Sequence, residues 1–163
     1  MNGVHIHLLL NHVPVLGSLF ALILFSFGYG LKKDLLSKTG LITLIVAALI
    51  SIPAFITGED AEHAVDGIIG VNQSAIEEHE EQAEVAYWLM LFAGAVALGT
   101  LLSTFRKDAI ARPLQLVNLI FMLAVFIMMA RAGATGGNIR HPEIHSMADR
   151  KSTRLNSSHV ALS

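Results

Sequence analysis

Four apolar stretches divide this chain of 163 residues, at 8–31, 40–57, 85–105 and 113–130. Each is about 18–24 residues long, enough for a helix to cross a hydrocarbon core of about 30 Å. A backbone inside lipid must satisfy its own hydrogen bonds, which helices do and open sheets do not. The composition agrees: 53% of the residues are hydrophobic, 15% are charged and the mean hydropathy is +0.59. A water-soluble domain is less apolar and carries more charge. The expected fold is all-α, a four-helix transmembrane bundle.

Charge sets the expected orientation. Lys32, Lys33 and Lys38 lie between the first two stretches, and Arg106, Lys107 and Arg112 between the last two. The opposite side has Arg140, with Arg131 at the membrane edge. The positive-inside rule then puts both termini and the long middle loop outside (N-out, C-out), with short basic inner loops. The outer loop is acidic, with Glu59, Asp60, Glu62 and Asp66, followed by Glu77, Glu78, Glu80, Glu81 and Glu84 at the start of the third stretch. No basic n-region or small-residue cleavage site marks a signal peptide, so the first span is expected to insert as an anchor. No basic patch points to nucleic acid. With no cysteine, a disulfide, a thiolate metal site and a cysteine nucleophile are all excluded.

Residues 149–163 read as foreign. From Asp149 to His159 the chain spells the in-frame translation of a widely used DNA-sequencing adapter and shows no apolar periodicity. The membrane domain is therefore expected within residues 1–148.

Local signals refine the helices. Pro14 fits the first turn of a helix that begins near His12, but would kink one that begins near His5. Pro53 leaves the Leu49 carbonyl without its usual donor, and Thr57-Gly58-Glu59-Asp60 is expected to end the second span. Ser74-Ala75-Ile76-Glu77 matches a capping box, so the third helix is expected over 75–105 and would be about 46 Å long. Its first turns should project from the membrane. Ile76, His79, Ala83, Ala86, Tyr87 and Met90 recur at helical spacing, which puts His79 on the inward stripe while its glutamate neighbours face water. Gly133-Ala134-Thr135-Gly136-Gly137 is expected to form a tight turn after the fourth span. No internal repeat stands out, although both halves run span, basic inner turn, span.

The histidines are the candidate chemistry. Seven of the eight, His5, His7, His12, His63, His79, His141 and His145, fall at the outer ends of the spans, and none lies near the basic loops. Imidazole binds haem iron and transition metals and can change charge near neutral pH. The leading expectation is a b-type haem with His12 and His79 as axial ligands. Gly17 would give the ring room, and Arg131 or Arg140 would meet its propionates. His63 and His141 form a second possible pair. No C-x-x-C-H is present, so covalent haem attachment is excluded.

The alternative is a zinc, iron or copper ion. Glu59 and His63 have the i,i+4 spacing of helical ligands, and so do His141 and His145. His5 and His12 share a face but stand about 10 Å apart along the axis. Against both ideas, an interfacial histidine can simply bond to water or backbone, and His5 and His7 are read this way. Tyr87 and Trp88 suit an interfacial aromatic belt. No nucleophile–base arrangement or phosphate loop is visible, so an enzyme is not favoured. A cofactor-free scaffold or assembly subunit is the remaining reading.

Taken together, these motifs resemble a bacterial family of four-span inner-membrane proteins of unknown function. Its H-[FV]-P element is matched by His12-Val13-Pro14, its histidine opening span three by His79, and its G-x-x-G-G…H ending by Gly133–Gly137 and His141. The match covers most of residues 4–144. Relatives are sometimes fused to Rieske iron–sulfur domains. The resemblance therefore implies electron transfer in the inner membrane, with quinone or a larger respiratory complex as partner and the histidine face outside the cytoplasm. His5, His7 and the acidic segment 59–84 depart from the family pattern.

Overall fold

In the computed structural model the described residues, 3–63, 73–107 and 109–140, form helices joined by short turns. Five helices follow one another: α1 (Gly3–Leu10), α2 (His12–Gly30), α3 (Asp34–His63), α4 (Gln73–Arg106) and α5 (Ala111–Arg140). Segments His5–Gly30, Asp34–Gly58, Gln73–Arg106 and Ala111–Gly137 are long and apolar enough to cross a membrane, as expected for a multi-pass membrane protein.

The first span is helical from Gly3 but interrupted at Asn11. Pro14 has no N–H to donate to the Leu10 carbonyl, so the ladder breaks one turn before it. Asn11 bridges the gap by donating its backbone N–H to the His7 carbonyl at 2.8 Å. α3 differs from expectation. It passes through Pro53 and does not end at Thr57–Asp60, but runs on to His63. The Thr57 hydroxyl donates to the Pro53 carbonyl at 2.7 Å and so covers an acceptor within that turn. α4 begins at Gln73, a residue or two before the capping box places it. The expected turn at Gly133–Gly137 is instead continuous helix, with α5 reaching Arg140.

The bundle is arranged as a ring, α2 on α3, α3 on α4, α4 on α5 and α5 on α2, with α1 lying along α3. Its interior packs small residues, Ala21, Ala47, Ala48, Ala86, Ala93 and Ala97, around the larger Phe25, Leu41, Leu44, Met90 and Met122. A Cβ on Gly94 would stand 2.7 Å from that of Ala48, so α3 and α4 can approach this closely only with glycine at that point. The fully buried residues include Ser18, Thr100 and Asn118. Phe20, Phe27, Leu49, Ile56, Trp88, Phe92, Leu102 and Ile120 face outward. So many large apolar side chains on the outside, over an interior rich in small residues with a few buried polar ones, is unlike a soluble domain. It fits helices whose outer solvent is lipid and whose association depends on close packing.

At the lysine end, two turns each place one lysine in the left-handed region, Lys32 at φ 54° and Lys107 at φ 58°. Lys38 pairs with Asp34 at 2.9 Å and lies over the Phe105 ring at 5.1 Å.

Candidate histidine site

The opposite end of the bundle carries the histidines. On α4, Ile76, Ala86 and Met90 are buried and His79 is half-buried among them, whereas Glu77, Glu78, Glu80, Glu81 and Glu84 are exposed. The helical stripe places His79 against α5. Its Nδ1–H donates to the Ala132 carbonyl at 3.0 Å and lies 3.2 Å from the Thr135 hydroxyl, which itself donates to the same carbonyl at 3.0 Å. The ring rests on Gly136, where an added Cβ would meet Cε1 at 3.0 Å, Nδ1 at 3.3 Å and Nε2 at 3.5 Å. The glycine run therefore serves as a platform on a helix face rather than as a turn, admitting the imidazole to within contact of the α5 backbone.

A carbonyl oxygen can only accept, so the bond to Ala132 fixes the proton on Nδ1. In the neutral ring Nε2 then keeps its lone pair, the state in which a histidine ligates metal. A backbone acceptor on the far nitrogen is the usual support of such a ligand.

His7 is held in the same way. Its Nδ1–H donates to the Ala54 carbonyl on α3 at 2.9 Å, and its ring lies 3.5 Å from where a Gly58 Cβ would stand. Here too Nε2 is left available. Sequence reasoning passed over His7 as an interfacial residue. The available signal was its position about two helical turns before Pro14, but only the packing of α1 on α3 shows its pairing with the Ala54–Gly58 segment.

The remaining candidates are placed differently. His12 is exposed, and among the described residues its ring pairs only with the side-chain oxygen of neighbouring Asn11. His5 is exposed as well. Arg131 is exposed at the same end, within α5. Gly17 gives no room to a macrocycle: a Cβ there would be 2.8 Å from that of Ala47, so it serves the contact of α2 with α3. A cavity of about 230 Å³ beside it is lined by Val13, Gly17, Ile42, Thr43, Val46 and Ala47, with no histidine. Glu59, His63 and Arg140 fall on helical backbone, but their side chains lie outside the described residues, as do His141 and His145 altogether. Among the described residues no three histidine or carboxylate side chains converge as a metal-ion site.

Aromatic rings surround this end. Phe55, next to Ala54, stacks on Tyr87 with centroids 4.2 Å apart and planes 4° from parallel, and Tyr87 meets Trp88 at 5.2 Å. A second polar group lies far from the histidines. Asn118 donates to the Thr100 hydroxyl and to the Leu114 carbonyl at 3.1 Å, while its Oδ1 has no hydrogen-bond partner among the described residues. Sequence reasoning did not single it out, although an asparagine in the middle of an apolar span is itself a signal.

Family models, curated proteins and solved structures all yield no match to this chain, so the family resemblance rests on the H-V-P element, His79 at the start of span three and the G-x-x-G-G…H element.

Proposed function

We propose that this is a small integral membrane protein of the bacterial inner membrane. In this reading its histidine-bearing end, outside the cytoplasm, binds b-type haem and passes electrons to or from quinone or a larger respiratory assembly. One observation carries it: His79 sits half-buried on the inward stripe with its proton fixed on Nδ1 by Ala132, leaving Nε2 as a neutral donor. The donor chemistry fits haem iron, which takes neutral imidazole. The exposed Arg131 at the same end suits a propionate. His79 would hold the haem iron, with the exposed His12 as the partner that the sequence points to. Haem would supply a one-electron couple there. The chain's own part is to hold the imidazole in one tautomer and to pack its ring against α5.

The test is the visible absorption spectrum, oxidised and reduced, of the full chain purified in mild detergent from haem-replete cells. A Soret band with sharp reduced α and β bands at near-stoichiometric haem is expected. A folded, colourless protein that also fails to take up added haemin would refute the reading.

A further inference from the structure

The two histidine seats share a sequence as well as a geometry. His7 rests on Ala54-Phe55-Ile56-Thr57-Gly58, and His79 rests on Ala132-Gly133-Ala134-Thr135-Gly136. Both segments read A-x-x-T-G. In each the first carbonyl accepts the imidazole N–H; the Thr135 hydroxyl donates to that carbonyl at 3.0 Å, whereas the Thr57 hydroxyl donates to Pro53 at 2.7 Å and stands 3.3 Å from the Ala54 carbonyl. Five residues beyond each glycine the sequence has a histidine, His63 and His141.

The framework repeats around these seats. Each half has a helical arm with its histidine near the start (α1 and α2 in the first half, α4 in the second), a turn with one left-handed lysine, and a helix that carries A-x-x-T-G near its end (α3 and α5). His7 precedes Lys32 by 25 residues and His79 precedes Lys107 by 28; Ala54 follows Lys32 by 22 and Ala132 follows Lys107 by 25. Both arms of the second hairpin are longer by the same three residues. Equal lengthening keeps each histidine level with its own carbonyl, because both arms gain the same rise along the helix axis. The packing order is also unchanged when α2 is exchanged with α4 and α3 with α5.

We infer that the chain is two copies of one helical hairpin related by a two-fold pseudo-axis along the bundle, and that Nε2 of His7 and Nε2 of His79 are the equivalent ligands of one transition-metal centre between the halves. This rests on the metal-ligating reading of the histidine end, and it replaces His12 with His7. The position that corresponds to His12 in the second hairpin is Glu84, so His12 has no counterpart. His7 and His79 each come from the first arm of their hairpin, lie at the same end of the bundle and carry the same fixed tautomer. Two neutral imidazoles suit haem iron, and they also suit a bare copper or zinc ion. The shared chemistry is a bis-imidazole centre.

The test uses the full chain in detergent, haemin and Cu²⁺ as separate probes, and the variants His7→Asn, His79→Asn and His12→Asn. An asparagine amide can still donate to the Ala54 or Ala132 carbonyl but offers no Nε2, so the seat is kept and the ligand removed. With haemin the unsubstituted protein is expected to give a six-coordinate low-spin spectrum. His7→Asn and His79→Asn should each turn it high-spin and weaken binding by about 10-fold or more, as ligand losses do, while His12→Asn changes nothing. If haemin fails to bind but Cu²⁺ binds one to one, with two-nitrogen splitting in its electron paramagnetic resonance spectrum that drops to one in both variants, the inference stands and the haem reading falls. If His7→Asn keeps the low-spin spectrum and His79→Asn loses it, the inference falls and the haem reading stands. A one-nitrogen Cu²⁺ signal from the unsubstituted protein without haemin uptake, or no binding of either probe, overturns both.

Discussion

Adding one methyl group to Gly136 separates a ligand platform from an ordinary helix position. An alanine Cβ there would stand 3.0 Å from Cε1 of His79 and 3.3 Å from Nδ1, against an ordinary contact of 3.4–4 Å. The ring must recede by about 0.5 Å, and interiors this closely packed resist such shifts. The ring is held by the bond to Ala132 at 3.0 Å, which stretches as the ring moves. Weakening that bond costs about 1 kcal/mol, while replacing glycine by alanine inside a helix gains about the same. Gly136→Ala should therefore leave stability within about 1 kcal/mol of the parent. Its effect should appear in ligation, where disturbing a supporting contact lowers affinity by about 10–100-fold. Gly137 supplies the control: a Cβ there meets nothing within 4 Å, so Gly137→Ala should gain about 1 kcal/mol and bind unchanged. Thermal unfolding in detergent and haemin or Cu²⁺ titration measure the two quantities on the same samples. If Gly136→Ala is stabilised and binds as well as Gly137→Ala, the platform argument is wrong.

Protons compete with metal for Nε2, so loading of the site should fall as pH is lowered; two imidazole ligands predict that up to two protons are taken up per metal released, countable by titration across pH 4–8 (about the range over which histidines titrate). Asn118→Ala should cost about 1–3 kcal/mol, since it opens a cavity and removes the donor to Thr100, whereas Asn118→Leu together with Thr100→Val should be close to neutral; chemical unfolding in detergent distinguishes them. Neither change should alter loading of the histidine end, which lies about 27 Å away along α5, and altered loading would show that the two are coupled. Deleting residues 149–163 should leave helix content, unfolding temperature and metal loading unchanged; loss of any of these would give that segment a role.

The helices were legible because each signal involved was long. Four apolar stretches outlast any single misleading residue, and the stripe from Ile76 to Met90 places His79 inward by periodicity alone. Short signals misled. Gly133–Gly137 and Thr57–Asp60 read as chain terminators because glycine usually ends helices. In α5, however, the backbone hydrogen bonds continue and the missing side chain is what admits an imidazole. His7 was passed over for the opposite reason. Its partner carbonyl is 47 residues away on α3, a contact that no local periodicity encodes. The duplication was hidden because the halves share few identities between their seats, and hairpin arms of unequal length offset any simple alignment.

Lys32 and Lys107 occupy backbone positions where glycine would be the more comfortable residue. A side chain in the left-handed region costs about 1–2 kcal/mol, and among the described residues neither ammonium group forms an ion pair that offsets it. In the finished bundle, both lysines are thus conformational liabilities. The positive-inside rule predicts that their benefit belongs to an earlier stage, when the chain leaves the translocon and each emerging loop must be retained on one side or passed across. Substituting glycine at both positions would give a sturdier molecule that has lost part of its instruction for entering the membrane the right way round.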